Sequence, residues 1–262
     1  MTTVDTEPSM TSTARRRSAL DRPTAMRLAA EEYLRYAEQV RGLAPADWTA
    51  PTACPGWDVH AMTAHVLGMA EFAASVPERV RQGRAAGRAG GLFVDALTAL
   101  QVRKHVHRSP ADLVARLSEV GPRAAAGRRR TPWPVRQLPM PRQPVDPRGA
   151  AFETWTLGYL VDVILTRDTW MHRSDVAEAT GRPMELTPGH DGVLVADVAA
   201  EWAARHRRPV VLTLTGPAGG SWLFNATQPG AAEPVEVDAV EFCRALSGRG
   251  RRPGLLATPV PF

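Results

Sequence analysis

The feature that most constrains the fold of this chain is an apolar helical stripe that becomes polar at its end. Only one glycine and no proline interrupt residues 154–175, so we expect a single long helix. At about 3.6 residues per turn, one face of it carries an unbroken stripe: Leu157, Val161, Ile164, Asp168, His172 and Asp175. The stripe predicts a helix that directs a carboxylate and an imidazole toward the core.

Asp168 and His172 are four residues apart, so their side chains lie one above the other on the helix. Burying a carboxylate is costly unless it is paired or bound to a metal. Two interpretations remain: a buried Asp–His hydrogen bond, or two ligands of a metal site that needs a third. The neighbours Arg167 and Arg173 have a different helical phase, and we expect them to form surface salt bridges.

A third candidate ligand, His65, lies on another predicted helix. The Pro-Gly turn before Asp58 ends one element, and Asp58 can cap the next helix. His65 lies within the apolar seam of that helix, whereas His60 should face away from it. A single histidine on an apolar face is usually a core residue. Two helices that each place ligand-type side chains in a seam favour the metal interpretation.

Two sequence blocks resemble a known family. Cys-Pro-Gly-Trp-x-Val followed by Ala-His-Val-Leu-Gly, and Arg-Asp-x-Trp-x-His-Arg-x-Asp, are similar to the mycothiol-dependent maleylpyruvate isomerases, part of the wider DinB-like metalloenzymes. The resemblance covers roughly residues 25–183. It implies a four-helix bundle with a divalent metal, zinc as the expected ion, whose ligands by position are His65, Asp168 and His172. The chain departs from the family pattern at Asp168, where that pattern has a glutamate with a longer arm.

The resemblance also implies a thiol cosubstrate, mycothiol. A metal-bound thiol is deprotonated and becomes a strong nucleophile. We interpret the protein's own cysteines, Cys54 before a tight turn and Cys243 in the last predicted helix, as small core residues. In the family, an arginine from the C-terminal domain serves the substrate, and Arg249 resembles it. Asp175 is a candidate to orient the imidazole of His172, with a solvated carboxylate as the alternative.

Composition disfavours other classes. The net charge is +5, but the arginines cluster in predicted loops and tails, without the basic face and aromatics that nucleic-acid binding requires. No apolar run approaches the ~20 residues of a membrane span, and the N-terminus lacks the apolar core of a secretory signal. With two cysteines and no disulfide framework, we expect a cytoplasmic protein, monomeric or homodimeric.

The predicted fold class is mainly α: a DinB-like four-helix bundle followed by a small α+β C-terminal domain. We divide the chain into a disordered tail (1–22), the bundle with the metal site (23–183) and the C-terminal domain (184–262). Bundle helices are predicted at about 24–43, 58–76, 93–106, 110–126 and 154–181, with a glycine-rich loop at 83–91 and an Arg/Pro-rich loop at 127–150. In the C-terminal domain we predict helices at 189–205 and 239–246, and strands at 209–215, 221–224 and 235–237.

These observations predict a metal-dependent enzyme that uses mycothiol as a thiol transferase or cis–trans isomerase on a small electrophile. The alternative is a non-catalytic small-molecule-binding or regulatory module on the same bundle. The replacement of glutamate by Asp168 and the long Arg/Pro-rich loop, which could cover a site mouth or be an insertion, motivate that alternative. A nucleic-acid-associated protein is a third possibility that rests on the basic isoelectric point alone.

Overall fold

The computed structural model describes residues 18–145, 152–228, 230 and 232–262. The chain is mainly helical, with a small sheet near its C-terminal end, which confirms the predicted fold class. Five helices come first: α1 (Arg22–Arg41), α2 (Val59–Ala74), α3 (Val76–Ala89), α4 (Phe93–His105) and α5 (Pro110–Arg130). Among the described residues, no helix is both long and apolar enough to cross a membrane.

Side-chain caps fix where these helices begin. Asp58 accepts a hydrogen bond from the backbone N–H of Ala61, and Ser109 caps α5 in the same way, as predicted. The first helix begins two residues earlier than predicted, because Asp21 rather than Thr24 is its N-cap. The prediction of a glycine-rich loop at 83–91 is wrong, because most of these residues belong to helix α3. Ser75 caps this helix, and Pro77 lies in its first turn, where proline is tolerated.

The predicted Arg/Pro-rich loop is also partly structured. It contains the last turn of α5, a short helix α6 (Trp133–Arg136) and the strand β1 (Pro139–Pro144). β1 pairs antiparallel with β2 (Phe152–Thr156). The segment 146–151, between these strands, lies outside the described residues. The predicted tail likewise falls largely on residues 1–17, which are not described.

The stripe-bearing segment is not one continuous α-helix. Residues 154–156 belong to β2, and Thr156 caps the helical region by accepting a hydrogen bond from the backbone N–H of Tyr159. A short helix α7 (Leu157–Tyr159) then passes through a π-helical turn (Leu160–Ile164) into α8 (Leu165–Thr180). The prediction of a helix from 154 is wrong because β1 pairs with these residues, which periodicity within one segment cannot show.

The C-terminal part confirms the predicted α+β pattern. A π-helical turn (Pro188–Gly192) leads into α9 (Val193–His206), followed by β3 (Val210–Thr215), β4 (Gly220–Phe224), β5 (Glu233–Asp238) and α10 (Ala239–Leu246). The sheet order is β4-β3-β5, with β3 antiparallel to β4 and parallel to β5. Alternate β3 side chains are buried with Trp202 and Phe242. The division of the chain between residues 183 and 184 stays a prediction.

Helix α8 lies between the two hydrophobic cores. Leu165 and Val176 belong to the core of the first helices, whereas Trp170 and Met171 belong to the core formed with α9, α10 and the C-terminal sheet. Every residue from Leu165 to Val176 except Asp168 is buried. A helix covered on both sides has no solvent face, so its polar residues need internal partners.

The expectation of surface salt bridges for Arg167 and Arg173 is therefore wrong. Both side chains are only 1% exposed. Arg167 binds Asp197 and Glu201 of α9, each at 2.7 Å. Arg173 binds Glu32 of α1 at 3.0 Å and Asp191 at 3.2 Å.

Gly68 permits a close approach between α2 and α4. A Cβ atom at this position would lie 2.5 Å from Cβ of Gln101. Gly68→Ala should therefore destabilise the protein by about 1–3 kcal/mol, because the two helices would have to separate. Gly83→Ala is the matched control: that helical glycine has open space around its missing Cβ, so alanine should stabilise by up to about 1 kcal/mol. Equal denaturation midpoints for the two variants would contradict the packing argument.

Glu201 makes the contact between α8 and α9 sensitive to acid. Burial alone would raise the pKa of Glu201, but the charges of Arg167 and Arg205 outweigh it and lower the pKa to about 2. Because this pKa lies below the unfolded value, the stabilisation is present above pH 4.5 and is lost as the pH falls toward 2. It amounts to about 3 kcal/mol. The melting-temperature gap between wild type and Glu201→Gln should close over this range; a constant gap would contradict it.

Candidate functional site

Three predicted ligand side chains converge where α2 meets α8. His65 Nε2 lies 3.5 Å from Asp168 Oδ2, and His172 Nε2 lies 3.4 Å from Asp168 Oδ1. The imidazole rings are perpendicular, with centroids 5.3 Å apart. One ligand-type atom from each of the three side chains lies within 4.8 Å of the others. The structure therefore brings together residues that are more than one hundred positions apart in the sequence.

The local packing fixes His65 in this position. Its side chain is 2% exposed, and the ring of Trp57 lies 5.1 Å away between centroids. Trp57 belongs to the Cys-Pro-Gly-Trp motif before α2 and also lies beside His172, at 6.3 Å. This contact could have been anticipated from the motif, since a turn ahead of α2 must pack on that helix. The predicted orientation of His60 away from the seam is confirmed, because its Nε2 contacts the carbonyl of Arg108.

The donor set fits a divalent metal ion. Imidazole nitrogens and a carboxylate oxygen are typical zinc ligands, and one such atom from each of the three side chains lies within 4.8 Å of the others. Among the described residues, the buried Asp168 Oδ2 has no hydrogen-bond partner apart from the long 3.5 Å contact with His65 Nε2. The shorter aspartate arm thus reaches both imidazoles, so the departure from glutamate does not disrupt the geometry. His65, Asp168 and His172 could together hold the ion.

Without a metal, the site is held together as an ion pair. Burial alone would raise the pKa of Asp168, but the charge of His172 and hydrogen bonds from both imidazoles hold it well below its usual range. Burial alone would lower the pKa of His172, but the charge of Asp168 and the hydrogen bonds that His172 donates to Asp168 and Asp175 raise it to about 10. A proton therefore occupies the position that a metal would compete for, and metal binding should displace it.

Asp175 contacts the other face of His172. Its Oδ2 lies 3.1 Å from His172 Nδ1, so Asp175 can hold the imidazole in the tautomer that leaves Nε2 for a metal. The sequence predicted this orienting position. Burial alone would raise the pKa of Asp175, but the hydrogen bond from His172 and the charge of Arg249 lower it. Asp175 therefore remains a carboxylate.

Arg249 reaches the site from the C-terminal part of the chain. Its Nε donates to Asp175 Oδ1 at 2.7 Å, and its Nη2 donates to Asp175 Oδ2 at 2.9 Å. Gly248 adopts a left-handed φ of 93° directly after α10, and the N–H of Arg249 then bonds to the carbonyl of Arg244. This glycine turn directs Arg249 back toward α8. The sequence missed Arg244, which lies 3.5 Å from Asp175 and carries no local motif.

Cys54 lies at the edge of the site. It is half-buried and packs against the first core, so its interpretation as a core residue holds only in part, and its Sγ lies 3.5 Å from Arg249 Nη2. Cys54, His172 and Asp175 also present ligand-type atoms within 4.8 Å of one another. Arg249 already binds both oxygens of that carboxylate, which disfavours a cation there. Cys243 is buried, as predicted, and burial raises its pKa.

A cavity of about 230 Å³ opens onto His65 and Asp168. Helix α4 and the β1–β2 hairpin form much of its wall, so the predicted Arg/Pro-rich loop does contribute to the site mouth. Its described lining residues are His65, Met69, Phe93, Val94, Leu97, Thr98, Met140, Pro144, Val145, Trp155, Leu160, Ile164, Asp168, Ser247, Arg249, Val260, Pro261 and Phe262. The side chain of Asp168, 20% exposed, is accessible from this cavity.

Known proteins share this architecture. The model of the family described as "Mycothiol maleylpyruvate isomerase N-terminal domain" matches residues 29–177, more than half of the chain. Crystal structures of the mycothiol-dependent maleylpyruvate isomerase and of its histidine-to-alanine mutant each superpose with a TM-score of 0.54 at 18% identity. Each comparison covers 88% of this chain and 90% of the other. No curated protein sequence matches. The chain belongs to the mycothiol maleylpyruvate isomerase family of enzymes.

Proposed function

We propose that this protein is a metal-dependent enzyme that uses mycothiol to isomerise, or to transfer the thiol to, a small electrophilic substrate. The observation that carries the proposal is the convergence of His65, Asp168 and His172 next to a cavity that His65 and Asp168 line. Two imidazoles and one carboxylate would leave a fourth position of a tetrahedral zinc ion open, which is typical of catalytic zinc. Family membership supports mycothiol as the thiol.

Asp175 and Arg249 have different roles next to the candidate metal centre. Asp175 holds the Nδ1 proton of His172, and Arg249 neutralises Asp175 while it also lines the cavity. When bound, the metal ion would act as a Lewis acid that favours the thiolate form of a coordinated thiol. The apolar walls limit the water that could compete with the thiol for the electrophile.

The site requires both parts of the chain. We propose that residues 23–183 form the metal-binding bundle and that residues 184–262 form a C-terminal domain whose contribution is Arg249. Arg249 touches Asp175 rather than a metal ligand directly, so in the free protein it acts by positioning. Its place in the cavity wall also makes it the candidate cation for a substrate carboxylate.

The two features that motivated the non-catalytic alternative were the aspartate at position 168 and the Arg/Pro-rich segment, and the structure favours a catalytic role for both. A binding module could tolerate a carboxylate too short to reach its partners, but Asp168 lies within 3.5 Å of both imidazoles. Met140 and Pro144 of the segment 127–150 line the cavity, which supports a role of this segment at the site mouth. These contacts support the catalytic proposal over the alternative.

Metal content tests the centre directly. Purified wild-type protein should contain close to one zinc ion per chain, and His65→Ala and His172→Ala should contain almost none. Asp175→Asn should retain the ligands but weaken metal affinity by about 10–100-fold, because the imidazole loses its orienting carboxylate. Elemental analysis and competition with a chelating dye measure both quantities.

His60→Ala is the matched control, because it removes a histidine from the same helix that points away from the centre. This variant should bind metal like wild type. Chelation should lower the melting temperature of wild type more than that of Asp168→Asn, which lacks the anionic ligand. A metal-free wild type after purification with added zinc, or an equal drop in both proteins, would exclude the proposed ligand set.

Thiol binding separates an enzyme of this type from a simple pocket. Mycothiol should release a proton when it binds, because it enters the coordination sphere as a thiolate. Calorimetry in buffers of different ionisation enthalpy measures that proton. S-methyl mycothiol should bind more weakly, since it keeps the sugar contacts but cannot coordinate as an anion.

The His65→Ala variant provides the reference for this comparison. Without the metal, mycothiol and its S-methyl form should bind with nearly equal affinity. If the two ligands bind equally to wild type and no proton is released, the thiolate mechanism is wrong.

A further inference from the structure

The cavity that opens onto the candidate centre has a mostly apolar wall. Among its described lining residues, those that can carry a charge are His65, Asp168 and Arg249. Two of these three belong to the candidate metal site, which leaves Arg249 to face a substrate as a cation. The rest of the described wall consists of aliphatic, aromatic, methionine and proline side chains, and its polar side-chain groups are the hydroxyls of Thr98 and Ser247 and the buried indole N–H of Trp155.

Most of the hydrogen-bonding capacity of Arg249 is already used. Its Nε and Nη2 bind both oxygens of Asp175, and Nη2 also contacts Cys54 Sγ. Arg244, a second cation beside Asp175, pairs with Glu178 and is not among the described residues that line the cavity. A substrate can therefore share Arg249 through its remaining N–H groups, which suits one carboxylate.

We propose that the natural substrate is an electrophile with an apolar body and at most one carboxylate. This proposal rests on the proposed function and specifies its substrate class. Maleylpyruvate, which appears in the name of the structural relatives, carries two carboxylates and would not fit this charge pattern. One carboxylate can pair with Arg249, but a second would face apolar side chains such as Phe93 and Leu97.

The cost of that second carboxylate supports the proposal. An ionised carboxylate taken from water into an apolar wall without a partner is strongly disfavoured. A thiolate at the centre would itself consume positive charge there, so it would provide no cation for the substrate. Apolar contacts with the cavity wall favour a hydrocarbon body instead.

Thiol-dependent cis–trans isomerisation needs neither an oxidant nor a reductant. For a cis alkene, the thiolate forms a C–S bond to one alkene carbon, and the resulting single bond rotates. The alkene electron pair, held meanwhile on the activating group as an enolate, then re-forms the double bond in the trans configuration and expels the thiolate. Neither step requires a second carboxylate on the substrate, so an ester or another uncharged activating group can replace it.

Binding of unreactive ligands tests the substrate class separately from catalysis. The compounds 3-phenylpropanoate and phenylsuccinate share a phenyl body and differ by one carboxylate. Calorimetry with the wild-type protein should show 3-phenylpropanoate binding at least tenfold more tightly than phenylsuccinate. Equal or tighter binding of phenylsuccinate, or no binding of 3-phenylpropanoate at millimolar concentration, would overturn the proposal.

A charge added to the wall shows that the preference arises in this cavity. Thr98 is a partly exposed residue of α4 in the wall and has no part in the candidate metal site. Thr98→Arg should reduce the tenfold difference to less than threefold, whereas the uncharged control Thr98→Gln should preserve it. Val94→Arg, one turn earlier, provides a second position if Thr98→Arg does not fold, as judged by circular dichroism. An unchanged preference in a folded arginine variant would place the selectivity elsewhere and overturn the proposal.

Turnover then distinguishes the two proposals. A series of cis alkenes provides the substrates: maleate with two carboxylates, monoethyl maleate with one and diethyl maleate with none. The enzymatic isomerisation rate of each compound with mycothiol is divided by its uncatalysed rate with the same thiol. The normalised kcat/KM should be at least tenfold higher for an ester than for maleate. A preference for maleate would refute the substrate class and leave the proposed function intact. Binding selectivity without turnover of any member would refute the proposed function and leave the substrate preference of the cavity intact.

Discussion

The structure depends on the burial of a charged helix between two hydrophobic cores. Arg167 of α8 pairs with α9, and Arg173 of the same helix pairs with α1 and Asp191. Buried ion pairs contribute little net stability, but loss of one partner costs about 3–5 kcal/mol because it leaves an uncompensated charge. These pairs therefore restrict how the elements on either side of α8 can be arranged. Asp168 and His172 are positioned by the same helix, so the candidate centre inherits that restriction.

The sequence predicted the centre more accurately than its surroundings. Periodicity placed Asp168 and His172 on one helical face and His65 in a second seam, and the structure brings the three together. The same periodicity gave the wrong environment for Arg167 and Arg173. A helical stripe identifies the face that meets one core, but it cannot show that a second core covers the opposite face. That information resides in β3, α9 and α10, which are distant in sequence.

The π-helical turn explains why the apolar part of the stripe is displaced. A π-helical turn contains an additional residue, so residues before it are rotated relative to those after it. Leu160, Ile164 and Asp168 line the cavity, whereas Val161 of the predicted stripe does not, although all three apolar residues belong to the first core. No local sequence signal marks this turn, because each residue in it is compatible with an ordinary α-helix. The predicted register was correct from Ile164 onward, which includes both candidate ligands of this helix.

The two faces of His172 show why the attacking thiol should come from outside the protein. Its Nε2 faces Asp168 and His65, while its Nδ1 faces Asp175. Cys54 lies on the Nδ1 side, next to Arg249, and is not part of the wall of the cavity above Asp168. Its sulfur instead lies within 4.8 Å of ligand-type atoms of His172 and Asp175. Cys243 is fully buried in the C-terminal core. The protein thus surrounds a candidate thiolate-binding centre with residues that cannot supply the thiolate, as expected of an enzyme whose nucleophile is a cosubstrate.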